Sequence, residues 1–286
     1  MTARPQIAFD VRPLTGGLGA EIFGIDLAQP LDAEGFRAIN QVLLDHGAIF
    51  FRDQKITPQQ QMAFARHWGS VHLHPHMACL PEQPGVIEIL KKETDTTVFG
   101  QNWHTDQMFT PTPARVTLLY AKEIPPVGGD TMYANLYMAY DTLSDGMKKL
   151  IADLHGIHMS GTRKVDDAKL GAKRVNEQVR ISPPIAQPVV RVHPDTGRKA
   201  LYVGEKVSRF DGMTEEESKP LIEFLNRHAT RPEFVYRHQW RQNDIVLWDN
   251  RCTLHMALGD FDQTQRRRME RTTVMGSPSG YVAAAA

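Results

Sequence analysis

The sequence predicts a mainly β protein, a sandwich or barrel of short strands with helices packed around the outside. Short runs rich in Val, Ile, Phe and Tyr recur along the chain. Turns of Gly, Pro, Asn and Asp separate these runs, and helices do not alternate with them regularly, which argues against a parallel βαβ sheet. The 286 residues are 41% hydrophobic and 23% charged, which is ordinary for a globular protein with ample core. We expect one domain over residues 1–286.

Four helices are predicted by residues that can cap their first turn. Asp32 precedes an amphipathic run that ends at Gly47, and Thr57 and Thr214 each begin a capping box. Ser144 precedes a fourth run with apolar residues on one face. The segments with strand composition are 48–51, 87–90, 116–120, 189–193, 200–203, 245–248 and 272–275.

The segment 160–188 differs from the rest because it is charged, weakly periodic and ends in prolines. A loop of this length inside one domain is usually functional or disordered. We expect either a mobile lid over an active site or a surface insertion. The chain ends in alanines, and the tail at about 281–286 is expected to be disordered.

The charge balance argues against a nucleic-acid or membrane-surface partner, and the cysteine content argues against a disulfide framework. Lys+Arg and Asp+Glu both number 33, so the formal net charge is zero, whereas proteins that bind nucleic acid or membrane surfaces usually carry a basic excess. Cys79 and Cys252 give neither a disulfide framework nor a C-x-x-C motif. The sequence shows no signal peptide, and no segment approaches the roughly 18 apolar residues of a membrane span. We expect a soluble, cytoplasmic protein whose metal ligands would be His and carboxylate.

Three residues form a candidate metal site. His104 and Asp106 are separated by one residue, and positions i and i+2 of an extended segment point to the same face. Such a pair alone is usually a surface feature, but His255, just after the β-type run ending at Trp248, supplies a second imidazole. Two imidazoles and one carboxylate occupy one face of an octahedral Fe(II). The remaining positions are open for a chelating acid and O2.

A cluster of arginines near residue 270 could bind a carboxylate. On a strand, Arg267 and Arg271 face one side and Arg268 the other, while Arg266 and Arg268 fit a solvated strand edge. An arginine fork binds a carboxylate at two points. Thr131, in G-G-D-T, is the candidate hydroxyl partner for the same ligand.

Four motifs in a fixed order connect these residues to a known family. They are W-H-T-D at 103–106, G-G-D-T at 128–131, W-D-N-R-x-x-x-H at 248–255 and R-x-x-x-R at 267–271. In this order they resemble the TauD/TfdA family of Fe(II)/2-oxoglutarate oxygenases, the taurine and phenoxyacetate-herbicide dioxygenases. Each motif alone is weak, but four of them, ordered and spaced, are specific. The resemblance runs from residue 15 to about residue 276.

The resemblance implies a double-stranded β-helix (a jelly-roll, cupin-like core) in a single catalytic domain. It implies an enzyme that uses Fe(II), O2 and the co-substrate 2-oxoglutarate to hydroxylate a C–H bond of a small anionic molecule, with release of succinate and CO2. The substrate would be a sulfonate, sulfate ester or carboxylate, and the protein a homodimer or homotetramer. The implied roles are metal binding by His104, Asp106 and His255, 2-oxoglutarate binding by Thr131 and Arg267, and substrate binding by Arg271 and His74.

The chain departs from the taurine enzymes in three respects. The arginine pair falls one residue later after the second histidine, which makes Arg266 a rival to Arg267, although Arg267 keeps the spacing to Arg271. Met77 replaces a Tyr and Gly100 replaces an Asn. These two pocket differences argue against taurine as the substrate.

Two other functions are compatible with the sequence. The alternating histidines of the segment 72–76 could bind zinc, with water as the fourth ligand, in a hydrolase. No H-E-x-x-H motif accompanies them. The other alternative is a jelly-roll binding protein that has lost catalysis, although every expected ligand position is filled.

Overall fold

An eight-stranded sheet dominates the computed structural model, which describes residues 9–74, 77–159 and 182–284. Its strands, in spatial order, are β1 (Asp10–Pro13), β2 (Ala20–Phe23), β3 (Ala48–Phe51), β14 (Ile245–Asp249), β6 (Ala114–Glu123), β16 (Arg267–Met275), β5 (Gln83–Lys91) and β4 (Cys79–Leu80). Neighbouring strands pair antiparallel except β2 and β3, which are parallel. Strand β16 therefore lies between β6 and β5, two strands that precede it by far in the chain.

Three smaller sheets complete the β structure of the described residues. One contains β13 (Val235–His238), β7 (Thr131–Asn135) and β15 (Thr253–Ala257) in that order, and another contains β12 (Val207–Phe210), β8 (His155–His158), β9 (Ile185–Pro188) and β17 (Tyr281–Val282). The third pairs β10 (Val190–Val192) with β11 (Lys199–Leu201).

The described residues form five α-helices, four of which begin where the capping patterns predict; the exception begins at Leu136. They are α1 (Ala33–His46), α2 (Pro58–Ala65), α3 (Leu136–Asp141), α4 (Asp145–Ile151) and α5 (Glu215–Ala229), with single 3-10 turns at Arg66–Trp68 and Pro232–Phe234. Asp32 and Ser144 accept backbone hydrogen bonds at the starts of α1 and α4, and Thr57 and Thr214 form complete capping boxes. Each such cap stabilises its helix by about 1 kcal/mol.

The large sheet has a helix-covered face and an inner face because side chains alternate along its strands. On β3, Ile49 and Phe51 belong to the apolar cluster that α1 and α2 cover. Phe50 points the other way and, with Trp248 of β14, packs against Tyr133 of β7 at ring-centroid distances of 5.9 and 5.5 Å. The β7 sheet thus faces the large sheet across a second apolar cluster. This is the predicted mainly β, jelly-roll core with helices outside.

Two predicted boundaries differ from the structure. The loop expected over 160–188 ends earlier, because Ile185–Pro188 forms β9 and pairs with β8; residues 160–181 lie outside the described part of the chain. The tail expected to be disordered over 281–286 contributes Tyr281–Val282, which pairs antiparallel with β9. Prolines and alanines suggested disorder, but prolines are tolerated at strand ends and at sheet edges.

No helix within the described ranges is both long enough and apolar enough to cross a membrane.

Candidate functional site

Two histidines from distant parts of the chain lie side by side. His104 and His255 form an antiparallel bridge, in which the backbone N–H of each donates to the carbonyl oxygen of the other at 3.0 and 2.9 Å. Their ring centroids are 4.2 Å apart. The His255 ring also packs on Trp248, with centroids 4.7 Å apart. Backbone pairing and one aromatic contact therefore fix the spacing of the two imidazoles.

Both imidazoles are in the form that binds a metal. Nδ1 of His104 lies 2.6 Å from the carbonyl oxygen of Asn102. Because that oxygen can only accept, Nδ1 carries the proton and Nε2 keeps its lone pair. Burial lowers the pKa of His104 and of His255, and the positive charge of Lys206 lowers the pKa of His104 further. Neutral imidazole is the ligand form.

The carboxylate of Asp106 faces both histidines. Its Oδ1 lies 3.9 Å from Nε2 of His104 and 4.0 Å from Nε2 of His255. Burial alone would raise the pKa of Asp106, but the positive charge of Arg271 and the hydrogen bond from Thr117 hold it below its ordinary range. The carboxylate is therefore ionised at neutral pH.

Two polar residues that sequence reasoning missed hold Asp106 in place. Thr117 on β6 donates its hydroxyl to Oδ2 of Asp106 at 2.7 Å, and the Asp106 backbone N–H donates to Oδ1 of Asn250 at 3.1 Å. The Asn250 amide also donates to Thr117 Oγ1 at 2.9 Å and accepts from the Trp248 indole at 3.0 Å. This buried network leaves Oδ1 of Asp106 directed at the histidines. Asn250 lies inside W-D-N-R-x-x-x-H, which was a usable signal, whereas Thr117 lies in an unremarkable strand sequence.

His104, Asp106 and His255 together suit one metal ion. Their ligand atoms lie within 4.8 Å of one another, and all three residues are buried. Two neutral imidazoles and one carboxylate form the donor set of non-haem Fe(II) oxygenases, which bind the metal on one face. The structure thus brings together the three side chains that the sequence singled out.

A second buried group of potential ligands is already paired internally. His193, Asp249 and Cys252 also have ligand atoms within 4.8 Å of one another. However, Arg251 donates to both carboxylate oxygens of Asp249, at 2.8 and 2.6 Å, and His193 Nε2 lies 3.0 Å from Oδ2. Burial raises the pKa of Cys252, so its thiol stays protonated. We interpret this group as a structural ion-pair network at the turn between β14 and β15.

A chamber of about 440 Å³, here called the Arg267 chamber, borders the two metal-site histidines. Arg267 is only 4% exposed, and its Nε donates to the carbonyl oxygen of Gly129 at 3.1 Å. One terminal nitrogen of Arg267 is buried without a hydrogen-bond partner among the described residues. The Thr131 hydroxyl accepts from the Trp240 indole at 2.9 Å, which leaves its proton available to a ligand.

Unsatisfied buried donors favour an anionic ligand in the Arg267 chamber. Burial lowers the pKa of Arg267 to about 10, so the guanidinium remains charged at neutral pH. A guanidinium beside a hydroxyl donor suits a carboxylate, and Arg267 and Thr131 supply these two groups to the chamber. Arg266 instead forms a surface pair with Glu123 at 3.2 Å, and Arg268 pairs with Glu88 at 2.7 Å. Arg267 is buried, whereas Arg266 and Arg268 pair with glutamates outside the chamber, as the alternation of side chains along a strand predicted. This arrangement favours Arg267 over Arg266 as the residue that binds a carboxylate.

A second chamber of about 560 Å³ borders His104 and Asp106; it is also lined by Lys206 and is here called the Lys206 chamber. Arg271 lies at its wall, 6% exposed, with NH1 3.5 Å from Oδ1 of Asp106 and NH2 3.6 Å from the Met77 sulfur. Nε of Arg271 is buried without a partner among the described residues. Apolar walls come from Phe99, Met108, Phe109 and Met159, and His74 also lines the chamber.

The histidines of the segment 72–76 give no support to a zinc site. The rings of His72 and His74 are 6.2 Å apart, and His76 lies outside the described residues. Within the described ranges, neither His72 nor His74 belongs to a group of three potential metal ligands. His74 instead lines the Lys206 chamber, as Arg271 does.

Comparisons with known proteins agree with this geometry. Residues 10–273 match the family model described as "Taurine catabolism dioxygenase TauD, TfdA family". The chain is 32% identical to the (S)-phenoxypropionate/alpha-ketoglutarate-dioxygenase of Sphingobium herbicidovorans, over 97% of this chain and 99% of that protein. It is 34% identical to the alpha-ketoglutarate-dependent sulfate ester dioxygenase of Pseudomonas putida, over 96% of this chain and 92% of that protein. The crystal structure of AAD-2 in complex with Mn(II) and N-oxalylglycine is similar, with a TM-score of 0.78, 33% identity and coverage of 96% and 99% of the two chains.

Proposed function

This chain belongs to the TauD/TfdA family of dioxygenases, and from that membership we propose that it is an Fe(II)- and 2-oxoglutarate-dependent dioxygenase. The proposed reaction hydroxylates a C–H bond of a small anionic organic molecule and converts 2-oxoglutarate to succinate and CO2. The two relatives compared above are named for phenoxypropionate and sulfate esters. We therefore propose a substrate of the sulfonate, sulfate ester or aryloxyalkanoate type.

One observation carries the proposal: a buried His-Asp-His set lies between two chambers, each of which has a buried arginine at its wall. Bound iron would supply the oxygen chemistry, while the chain supplies binding, orientation and exclusion of water. The metal-binding roles are proposed for His104, Asp106 and His255, the 2-oxoglutarate-binding roles for Thr131 and Arg267, and the substrate-binding roles for Arg271 and His74.

The test is a spectrum followed by a turnover assay. Under anaerobic conditions, Fe(II) plus 2-oxoglutarate should produce a weak visible charge-transfer band. On admission of O2, members of a panel of sulfonates, sulfate esters and aryloxy acids should stimulate succinate release. Zn(II) in place of Fe(II) is the matched control and should give neither signal. A zinc hydrolase would instead be active with Zn(II) and no 2-oxoglutarate, and an inactive binding protein would give no turnover with either metal.

We expect Arg271→Ala to remove the preference for an anionic substrate. Although NH1 of Arg271 faces Asp106 at 3.5 Å, its Nε is buried without a hydrogen-bond partner among the described residues. A negative group of the substrate should satisfy this donor, because a buried donor without a partner is costly. With the acid and its amide compared side by side, the wild type should prefer the acid by 30-fold or more. Loss of one partner of a buried charge pair costs roughly 2–5 kcal/mol. The lower end of this range corresponds to a preference of about 30-fold.

The Fe(II)/2-oxoglutarate band, recorded for Arg271→Ala, controls for damage to the neighbouring Asp106. Arg271→Lys keeps the positive charge and should retain part of the preference. Equal turnover of acid and amide by the wild type would exclude this role for Arg271.

Two sequence-based expectations remain predictions. A homodimer or homotetramer is expected from the family resemblance, and a cytoplasmic location from the composition of the chain.

A further inference from the structure

Lys206 is a second cation of the Lys206 chamber, and neither the motifs nor the family resemblance assigned it a role. It lines the same chamber as Arg271 and Asp106. In the described part of the chain, Lys206 has no hydrogen bond or ion pair. Lys206 therefore brings to this chamber a positive charge that no described carboxylate neutralises by direct contact.

The segment that carries Lys206 is fixed beside the metal site. Gly204 lies so close to the segment of His104 that an added Cβ would meet the Trp103 carbonyl oxygen at 3.3 Å and the His104 Cα at 3.6 Å. The backbone N–H of Glu205 donates to the same carbonyl oxygen at 3.0 Å, and the Asn102 amide donates to the Glu205 carboxylate at 2.7 Å. Lys206 is therefore held next to the ligand residues, although its side chain is solvent-exposed.

Electrostatic effects agree with this position. Desolvation lowers the pKa of Lys206, the carboxylate of Asp106 raises it, and the guanidinium of Arg271 lowers it. In turn, the charge of Lys206 lowers the pKa of His104 and of His255. The ammonium group is thus close enough to influence both histidines of the proposed metal site.

The guanidinium of Arg271 alone can bind both oxygens of a planar carboxylate. Two cations at separate positions are better suited to an anion that has three terminal oxygens. A guanidinium edge donates two parallel hydrogen bonds, which use both oxygens of a carboxylate. Lysine is a compact point charge with three donors. A sulfate ester or sulfonate has three terminal oxygens in a tetrahedral arrangement, so two can bind the guanidinium and the third the ammonium. Lys206 and Arg271 lie on different elements but line one chamber.

We propose that Lys206 and Arg271 share the anionic group of the substrate, and that Lys206 selects a sulfur oxyanion over a carboxylate with the same tail. This inference rests on the proposed function and narrows its substrate class. Lys206 is then a specificity-determining residue, which touches the substrate and leaves the proposed metal ligands unchanged.

The test compares hexane-1-sulfonate, hexyl sulfate and heptanoate, which carry the same six-carbon tail. Affinities are measured by anaerobic calorimetry on protein loaded with Fe(II) and N-oxalylglycine, so that binding is read without turnover. The variants are Lys206→Met and Lys206→Arg. Lys199→Met is the matched control, because Lys199 is an exposed lysine on β11 that lies outside the chamber.

We expect the wild type and Lys199→Met to bind both sulfur oxyanions about tenfold more tightly than heptanoate, as one extra charge-assisted hydrogen bond would produce. Lys206→Met should lose that preference with little change for heptanoate, and Lys206→Arg should recover part of it. Equal affinity of the wild type for the three anions, no binding at millimolar concentration, or a preference that survives in Lys206→Met would each overturn the proposal. Succinate release is measured separately. If the affinities are as expected but no succinate is released, the proposed function is contradicted and the role of Lys206 in binding still holds.

Discussion

Replacing Asp106 by Ala is expected to abolish Fe(II)-dependent turnover while the fold stays intact. Asp106 is the sole carboxylate of the proposed ligand set and the group that both histidine Nε2 atoms face. Asp106→Asn keeps the shape and the hydrogen bond from Thr117 but removes the charge, and it should lose iron as well. The measurements are Fe(II) affinity, the charge-transfer band and succinate release, with thermal unfolding as the check on the fold.

Thr117→Val provides a graded comparison because Thr117 reaches the metal site only through Asp106. Loss of such an outer hydrogen-bond partner usually costs about 10–100-fold in metal affinity or activity. Asp106→Ala should lower metal affinity and activity by more than this range of about 10–100-fold. If Asp106→Ala retained near-normal succinate production, the ligand assignment would have to be abandoned.

Arg267→Ala is expected to weaken 2-oxoglutarate binding by about 30-fold or more. The guanidinium is buried and keeps an unsatisfied nitrogen in its chamber. Loss of a buried partner of a charge typically costs roughly 2–5 kcal/mol, or about 30- to several-thousand-fold. The dissociation constant is read from the charge-transfer band as 2-oxoglutarate is titrated anaerobically.

Arg266→Ala is the matched control, since Arg266 is the preceding residue and its side chain is 44% exposed in a pair with Glu123. Exposed pairs of this kind contribute about 0–1 kcal/mol, so co-substrate affinity should hardly change. Arg267→Lys separates charge from geometry, because it keeps the cation but loses the planar fork. A large loss in Arg266→Ala with a small one in Arg267→Ala would transfer the role to Arg266.

Features with a local cause were predictable from the sequence. The capping boxes at Thr57 and Thr214 placed two helix starts, because the side-chain and backbone groups that satisfy each other are three residues apart. Alternation along a strand placed Arg267 inside and Arg268 outside, because the side-chain period of a strand is two. The spacing of His104 and Asp106 likewise placed two ligands together.

Features that depend on distant contacts were not predictable. The spacing of His104 and Asp106 indicated an extended segment but not where it stops. The segment ends at Asp106 because Gln107 adopts a left-handed backbone with φ of 58°. Thr117 and Asn250 hold Asp106 from a strand and a turn, 11 and 144 residues further along the chain. Lys206 lies beside the site because Gly204 packs closely against the segment of His104. The motif W-D-N-R-x-x-x-H singles out Asn250, but nothing in the local sequence around Thr117 or Lys206 indicates that either residue lies near the site.

The position of β16 between β6 and β5 has a consequence for synthesis of the chain on the ribosome. The two neighbours are complete at Glu123, whereas the strand that joins them begins at Arg267. Translation of the intervening segment takes roughly 7–30 s at about 5–20 residues per second. During that interval β5 and β6 each keep an open edge, and open edges invite pairing with other chains. The nascent protein therefore passes through an aggregation-prone stage, which ends when β16 is synthesised and pairs with β5 and β6. The same strand carries Arg267 and Arg271, the two arginines proposed to bind anions.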